Sequence, residues 1–220
     1  MSISGWRDLP LEHLRTYSPI GLRLVDEFTG GAPLGRVSVR LELSVGAGSW
    51  KPTDVQAVLT SSNVFTWPGL GRIRDPGHSL PRRYRACIES DRYRAGYLKN
   101  VDGLEFDAPP WDNETPPNPV TKGPQDLYLY PSTAYDFPTW VRVLHGVVTT
   151  LSKVPVANVL VHQGSAEAVL TDERGCFSLP LRWATSGLPV DALDMRNNKS
   201  GSHVLNLPAD LGSNVAITIV

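Results

Sequence analysis

The chain has 220 residues, a formal net charge of −1, and 19 each of glycine and proline. That length suits one large β domain or two of about 100 residues each, and either can bury a core without disulfides or metal. The near-neutral charge gives no electrostatic case for nucleic acid or an anionic membrane, and the Gly and Pro content favours turns and short strands over long helices.

Residues 1–16 read as an N-terminal arm. Within it "DLPLEHL" suits a short helix capped by Asp8, with Pro10 in its first turn and Trp6, Leu9 and Leu14 packing it down. The segment has no apolar h-region or small-residue cleavage site, and no stretch approaches the ~18 apolar residues of a membrane span. With an opening Met, this predicts cytoplasmic synthesis without a signal peptide, the protein being kept in the cytoplasm or leaving by a route other than general secretion, such as release as part of a particle. The sequons at Asn113 and Asn198 are then idle.

From residue 17 to 108 the pattern predicts a first β-sandwich. "GLRLVDEFTGG" sets Leu22 and Leu24 on one side and ends in a turn. "RVSVRLEL" alternates strictly, with Val37, Val39, Leu41 and Leu43 inward and Arg36, Ser38, Arg40 and Glu42 toward water. "DVQAVLT" and "VFTW" follow around a turn. "RRYRACIES" puts Tyr84, Ala86 and Ile88 on one face, and "DGLEFDAPP" closes the block. Residues 109–139 change texture. The stretch from Pro109 to Pro138 holds eight prolines, which predicts an extended linker with little strand pairing. Its aromatics, Trp111, Tyr128, Tyr130, Tyr135 and Phe137, predict that it lies against a surface. Residues 140–220 form a second β block: "WVRVLHGVV", "VPVANVLVHQ", a hairpin in "AVLTDERGCFSLPL", "SHVLNLPADL" and "NVAITIV". If the last strand is a sheet edge, its backbone is open to pairing with a neighbour.

The letters AVLT occur twice, at 57–60 and 168–171. Aligned on them, Thr60 meets Thr171, and a polar turn follows in each. Asn63 and Gly175 supply the residue that tolerates a left-handed conformation. An aromatic (Phe65, Phe177) and a proline (Pro68, Pro180) come next. Upstream, Pro33, Val37 and Val39 align with Pro155, Val159 and Val161, and "SVGAGSWKPTD" reads as a loop inserted in the first copy. Four matched features in one order predict an internal duplication.

Residues 146–181 resemble the carboxypeptidase regulatory-like domain. The family's pattern is met by Gly146, Val148, Pro155, Ala157, Val159, Val161, Thr171, Asp172, Gly175, Phe177, Leu179 and Pro180. The resemblance implies a transthyretin-like sandwich, a module that is usually a non-catalytic attachment. The first block departs from the pattern, with "TSSNVF" in place of the T-D-x-x-G-x-F run. A further resemblance, carried by "YPSTAYDFP" ahead of one sandwich and "FTWPGL" in another, is to small accessory proteins of phage-tail-like contractile injection systems. The transthyretin-like hydroxyisourate hydrolases end in Tyr-Arg-Gly-Ser, a signature missing here.

No motif for a metal, a nucleotide or a nucleophile is visible. The five histidines, His13, His78, His145, His162 and His203, are dispersed. Asp172 and Glu173 read as turn chemistry before calcium ligands. Cys87 and Cys176 read as buried free thiols. One charge cluster remains: Arg72, Arg74, Arg82, Arg83, Arg85, Arg92 and Arg94, with Tyr84 and Tyr93 among them. It reads either as a solvated strand face paired with acids or as a docking site for an acidic protein. The candidate interaction surface is therefore Arg82, Arg83, Arg85, Arg92 and Arg94 with Trp50, Trp111, Tyr128 and Tyr130. No catalytic residue, metal or cofactor is expected. The expected partners are other protein subunits or a second copy. Exposed tryptophans (Trp50, Trp67, Trp111 and Trp140 are candidates) make a pair of carbohydrate-binding modules the alternative.

Overall fold

The alternating runs of the sequence become strands packed as two pairs of sheets. The computed structural model describes residues 16–73, 80–97, 102–112, 114–115, 123–165 and 167–220. The expected N-terminal helix, Arg74, His13, His78 and the Asn113 sequon lie outside these residues. The all-β expectation holds: the only helical element among the described residues is a single 3₁₀ turn at Ala209–Gly212.

The first block contains β1 (Gly21–Asp26), β2 (Ser38–Gly46), β3 (Ser49–Pro52), β4 (Val58–Leu59), β5 (Val64–Thr66), β6 (Arg82–Glu89), β7 (Tyr93–Ala95), β8 (Leu104–Ala108) and β9 (Gln125–Pro131). They form two sheets, ordered β4-β5-β1-β9-β7 and β3-β2-β6-β8. The second block contains β10 (Arg142–Thr150), β11 (Leu160–Gln163), β12 (Glu167–Leu170), β13 (Cys176–Leu181), β14 (Pro189–Asp194), β15 (Lys199–Val204) and β16 (Val215–Ile219). Its sheets run β13-β10-β16 and β12-β11-β14-β15.

These two orders are the same order. Without β4 and β7, the first block reads β5-β1-β9 over β3-β2-β6-β8, and each strand has its counterpart in the second. In both blocks the first strand pairs antiparallel with the strand after the turn and parallel with the last strand: β1 with β9, β10 with β16. A parallel first-to-last pair cannot come from hairpins alone. Its recurrence supports the duplication more firmly than any run of letters.

The turn that prompted the alignment shows the true register. In the first block Thr60 N–H donates to Val64 O and Asn63 N–H to Thr60 O; in the second, Asp172 N–H donates to Cys176 O and Gly175 N–H to Asp172 O. Asn63 and Gly175 both have positive φ, 56° and 71°. Thr60 Oγ1 accepts from Val64 N–H at 3.2 Å, and Asp172 Oδ1 accepts from Cys176 N–H at 2.8 Å. Thr60 is therefore the counterpart of Asp172, and the AVLT match is one residue out of step. Thr171 does another job: its hydroxyl accepts from Val159 N–H at 2.9 Å and donates to Val156 O at 2.8 Å. The paired aromatics and prolines are in step.

The expected second hairpin is a corner. β12 pairs with β11 in one sheet, while β13 pairs with β10 in the other. Only the first copy is a hairpin within one sheet, β4 with β5.

Each block has its own core. Leu22, Leu24, Leu41, Trp67, Tyr84, Leu127 and Leu129 centre the first; Leu144, Val148, Val161, Phe177, Leu179 and Ile217 centre the second. The boundary falls inside β10, where Val143 packs on the first core and Leu144 enters the second. The proline-rich segment differs from expectation. β9 lies in it and is paired on both sides, with β1 and β7. Pro124 and Pro131 bracket this run rather than interrupt it, so the missing donors fall at its ends. Leu127 and Leu129 then alternate inward as in any half-buried strand. The C-terminal strand is the edge of its three-stranded sheet, as expected, and just beyond it Val220 and Ser200 exchange backbone hydrogen bonds at 3.0 and 3.3 Å, tying the chain end to β15.

Candidate functional site

The arginine cluster is dispersed by the period of the strand that carries most of it. On β6, residues alternate between the core and the outer face of the sheet. Arg83 and Arg85 point outward. Arg83 is ion-paired with Glu105 on β8. Arg85 Nε reaches Glu42 Oε2 at 2.6 Å, its guanidinium lies 4.8 Å from the Trp50 ring centroid, and Asp102 is 3.5 Å away. Glu42, expected in water, is buried at 6% exposure because Arg85 and Arg40 close over it. Trp50 is thus a lid on an ion pair. The Arg85 charge is stabilised by hydrogen bonding and attraction to Glu42, against the opposing cost of its burial, and its pKa is held above the ordinary arginine value. Cys87 shares that outer face. It is buried beneath the charges, its thiol pushed up by burial, and its Sγ donates to Asp102 O at 3.2 Å.

Arg82 sits on the opposite side of β6, on the same face as buried Tyr84 and Ala86 and near the open end of the sandwich. Arg92 and Arg94 lie elsewhere again. Arg92 pairs with Asp136 at 2.8 Å, and Arg94 pairs with Glu173 of the second block. Arg72 lies 5.6 Å from the Trp111 ring centroid. The described arginines of the cluster therefore lie in separate settings, not in one patch.

The aromatic candidates divide similarly. Trp111 is 2% exposed, and its Nε1 donates to Leu70 O at 2.9 Å. It is a core residue and cannot present a contact surface. Tyr128 is half-exposed on β9; Tyr130 is partly covered, and burial raises its pKa. Tyr135 and Phe137 pack edge-on and tilted against Phe28 and each other. The Tyr135 and Tyr93 hydroxyls donate to the fully buried Asp26 at 3.0 and 3.1 Å. Burial raises both phenol pKa values, and the adjacent carboxylate adds to the effect. These bonds anchor the segment after β9 to the first core.

Two features remain, a clasp that carried no local signal and a tryptophan pair of which the sequence had offered only Trp140 as an exposed candidate. The blocks are clasped by Arg182, at the end of β13. Its Nε donates to Glu167 Oε1 and its terminal nitrogen to Phe28 O, both at 3.0 Å, and its guanidinium is 4.4 Å from the Phe28 ring centroid. Glu167 is buried, and its second oxygen has no hydrogen-bond partner among the described residues. Glu27 stands beside this clasp. Burial pushes its carboxyl up to about 7, against the opposing pull of Arg182 and a hydrogen bond from the Ala168 backbone. The other feature is a pair of tryptophans. Trp140 and Trp183 are 72% and 78% exposed. They flank the paired segment in which Arg142 is opposite Leu181, at the same end of β10 and β13.

The three histidines among the described residues are occupied locally: His145 Nδ1 with Ser178 Oγ at 3.0 Å, His162 Nδ1 with Gly164 O at 3.0 Å, His203 Nε2 with Asp210 Oδ2 at 2.9 Å. Among the described residues no group of three or more His, Cys, Asp or Glu is placed to hold a metal ion, and no helix is long and apolar enough to cross a membrane.

No family model matches the chain, and no curated protein matches it. Two solved structures align along it, both of the C-terminal fragment of the pilus adhesin SpaC from Lactobacillus rhamnosus GG. The iodide-soaked form is 13% identical over 91% of this chain and 86% of that one, with a TM-score of 0.20. The other is 12% identical over 93% and 95%, with a TM-score of 0.21. Likeness at that level carries no argument about this chain.

Proposed function

We propose that the protein is a non-enzymatic structural or adaptor subunit of a larger assembly, a phage-tail-like contractile injection particle, and that its second block is a carboxypeptidase regulatory-like module. The observation that carries this is the clasped tandem. Two sandwiches of one topology are held together by Arg182, Phe28 and Glu167, by the Arg94–Glu173 pair, and by a strand whose ends enter different cores. A tandem fixed at its junction is suited to spacing other subunits at a set distance, since relative motion of domains is otherwise the default. The test is native mass spectrometry and co-sedimentation from the source cell. A multi-subunit particle containing the chain supports the reading; a monomer missing from every particle removes it.

A second reading is supported by Trp140 and Trp183. Exposed tryptophan offers a flat apolar face to a sugar ring, so a carbohydrate-binding module accounts for both. It requires glycan binding that Trp183→Ala abolishes. A flat glycan array removes it.

A further inference from the structure

A concavity of about 370 Å³ opens at one end of the first sandwich, within the range of small-molecule sites. Its walls are largely apolar, from Val55, Leu70 and Leu80. Two polar side chains of β6 line it from the core face of the sheet, Arg82 and Tyr84. An arginine at a core-facing position needs a counter-charge or water. Arg83, Arg85, Arg92 and Arg94 each have a carboxylate, whereas Arg82 has none among the described residues. Tyr84 is 5% exposed as a whole residue, but its hydroxyl is not one of the buried unpartnered atoms; the residue lines the concavity.

We propose that this concavity binds a carboxylate carried on a compact apolar body, a small monocarboxylic acid. Arg82 supplies the charge-assisted hydrogen bonds, Tyr84 a neutral donor, and the aliphatic walls cover the rest. The site is independent of the assembly reading and survives its failure.

The test uses the full chain labelled with ¹⁵N and titrated with 4-phenylbutyrate, with its primary amide, and with the peptide Gly-Gly-Phe as free acid. Chemical-shift changes should centre on the amides of Leu70, Gly71, Arg82 and Ala108. The amide should bind at least about tenfold more weakly than the acid. Arg82→Gln should bring the acid down to the level of the amide, Tyr84→Phe should cost a smaller factor, and Arg83→Gln, on the outer face, should change nothing. Arg82 is half-exposed, so its variant should keep the native spectrum; Tyr84→Phe is the second variant if it does not. Equal binding of acid and amide, no shifts at millimolar acid, or an unaffected Arg82→Gln would each overturn the site. Tighter binding of the peptide than of phenylbutyrate would overturn the small acid in favour of a polypeptide terminus.

Discussion

Glu27 should make this protein less stable as pH rises from about 4.5 to about 7. Its carboxyl is pushed from an ordinary 4.5 to about 7 in the folded chain, because burial beside the junction outweighs the attraction of Arg182, and Asp26 and Glu167 oppose its charge. Below about pH 4.5 the group is protonated in both states and contributes nothing. Between 4.5 and 7 the unfolded chain ionises first, so the folded state holds more protons and loses stability as pH rises. Above 7 the penalty is complete. The full shift, from 4.5 to about 7, corresponds to roughly 3–4 kcal/mol at about 1.4 kcal/mol per pH unit. The side chain keeps some contact with water, so about half, ~2 kcal/mol, is the expected size. Glu27→Gln keeps the shape without the charge. Urea denaturation of both forms from pH 4 to 8.5 should give curves that meet at the acid end. At the alkaline end the variant should be more stable by about that amount. A gap that does not change with pH, or one that closes as pH rises, would refute the placement of Glu27 against the clasp.

The remaining predictions concern the clasp, the cores and the two turns. Arg182→Met should cost about 3–5 kcal/mol, because it leaves the buried Glu167 carboxylate without its partner; adding Glu167→Gln in the same chain should recover part of the loss in equilibrium unfolding. Phe177→Ala should cost about 3–5 kcal/mol, as expected for a ring that is 2% exposed. The equivalent Phe65→Ala, partly exposed beside β4, should cost clearly less, and thermal unfolding compares the two. Gly175→Ala should be the more damaging turn substitution, since its Cβ would meet Val148 O at 2.5 Å in addition to the positive φ. Asn63→Ala should lose only ~1 kcal/mol from the left-handed backbone; equal losses would mean that the Val148 carbonyl does not crowd position 175.

Strand periodicity made much of each block legible. Leu22, Leu24, Tyr84, Ala86, Val215, Ile217 and Ile219 alternate in the letters and in the core alike. The turns at Asn63 and Gly175 were legible from the same local rule, a residue able to hold positive φ between two runs. Period 2 also divides β6, and that division separates Arg82 from Arg83 and Arg85. Counting charges along the chain merged what the pleat keeps apart.

What the chain by itself determined is therefore local: where backbone must turn, and which side chains of each strand avoid water. Tertiary structure decided which strands meet. Whether AVLT leads into a hairpin or a corner depends on which sheet takes the preceding strand, and β4 and β12 go to different ones. β9 is a strand because β1 and β7 stand ready on both sides, while its bordering prolines, read alone, argue for a linker. The clasp joins Phe28 to Arg182, 154 residues apart. No neighbouring residue constrains such a pair, and only folding two similar blocks against each other brings a carbonyl, a guanidinium and a buried carboxylate within hydrogen-bond distance.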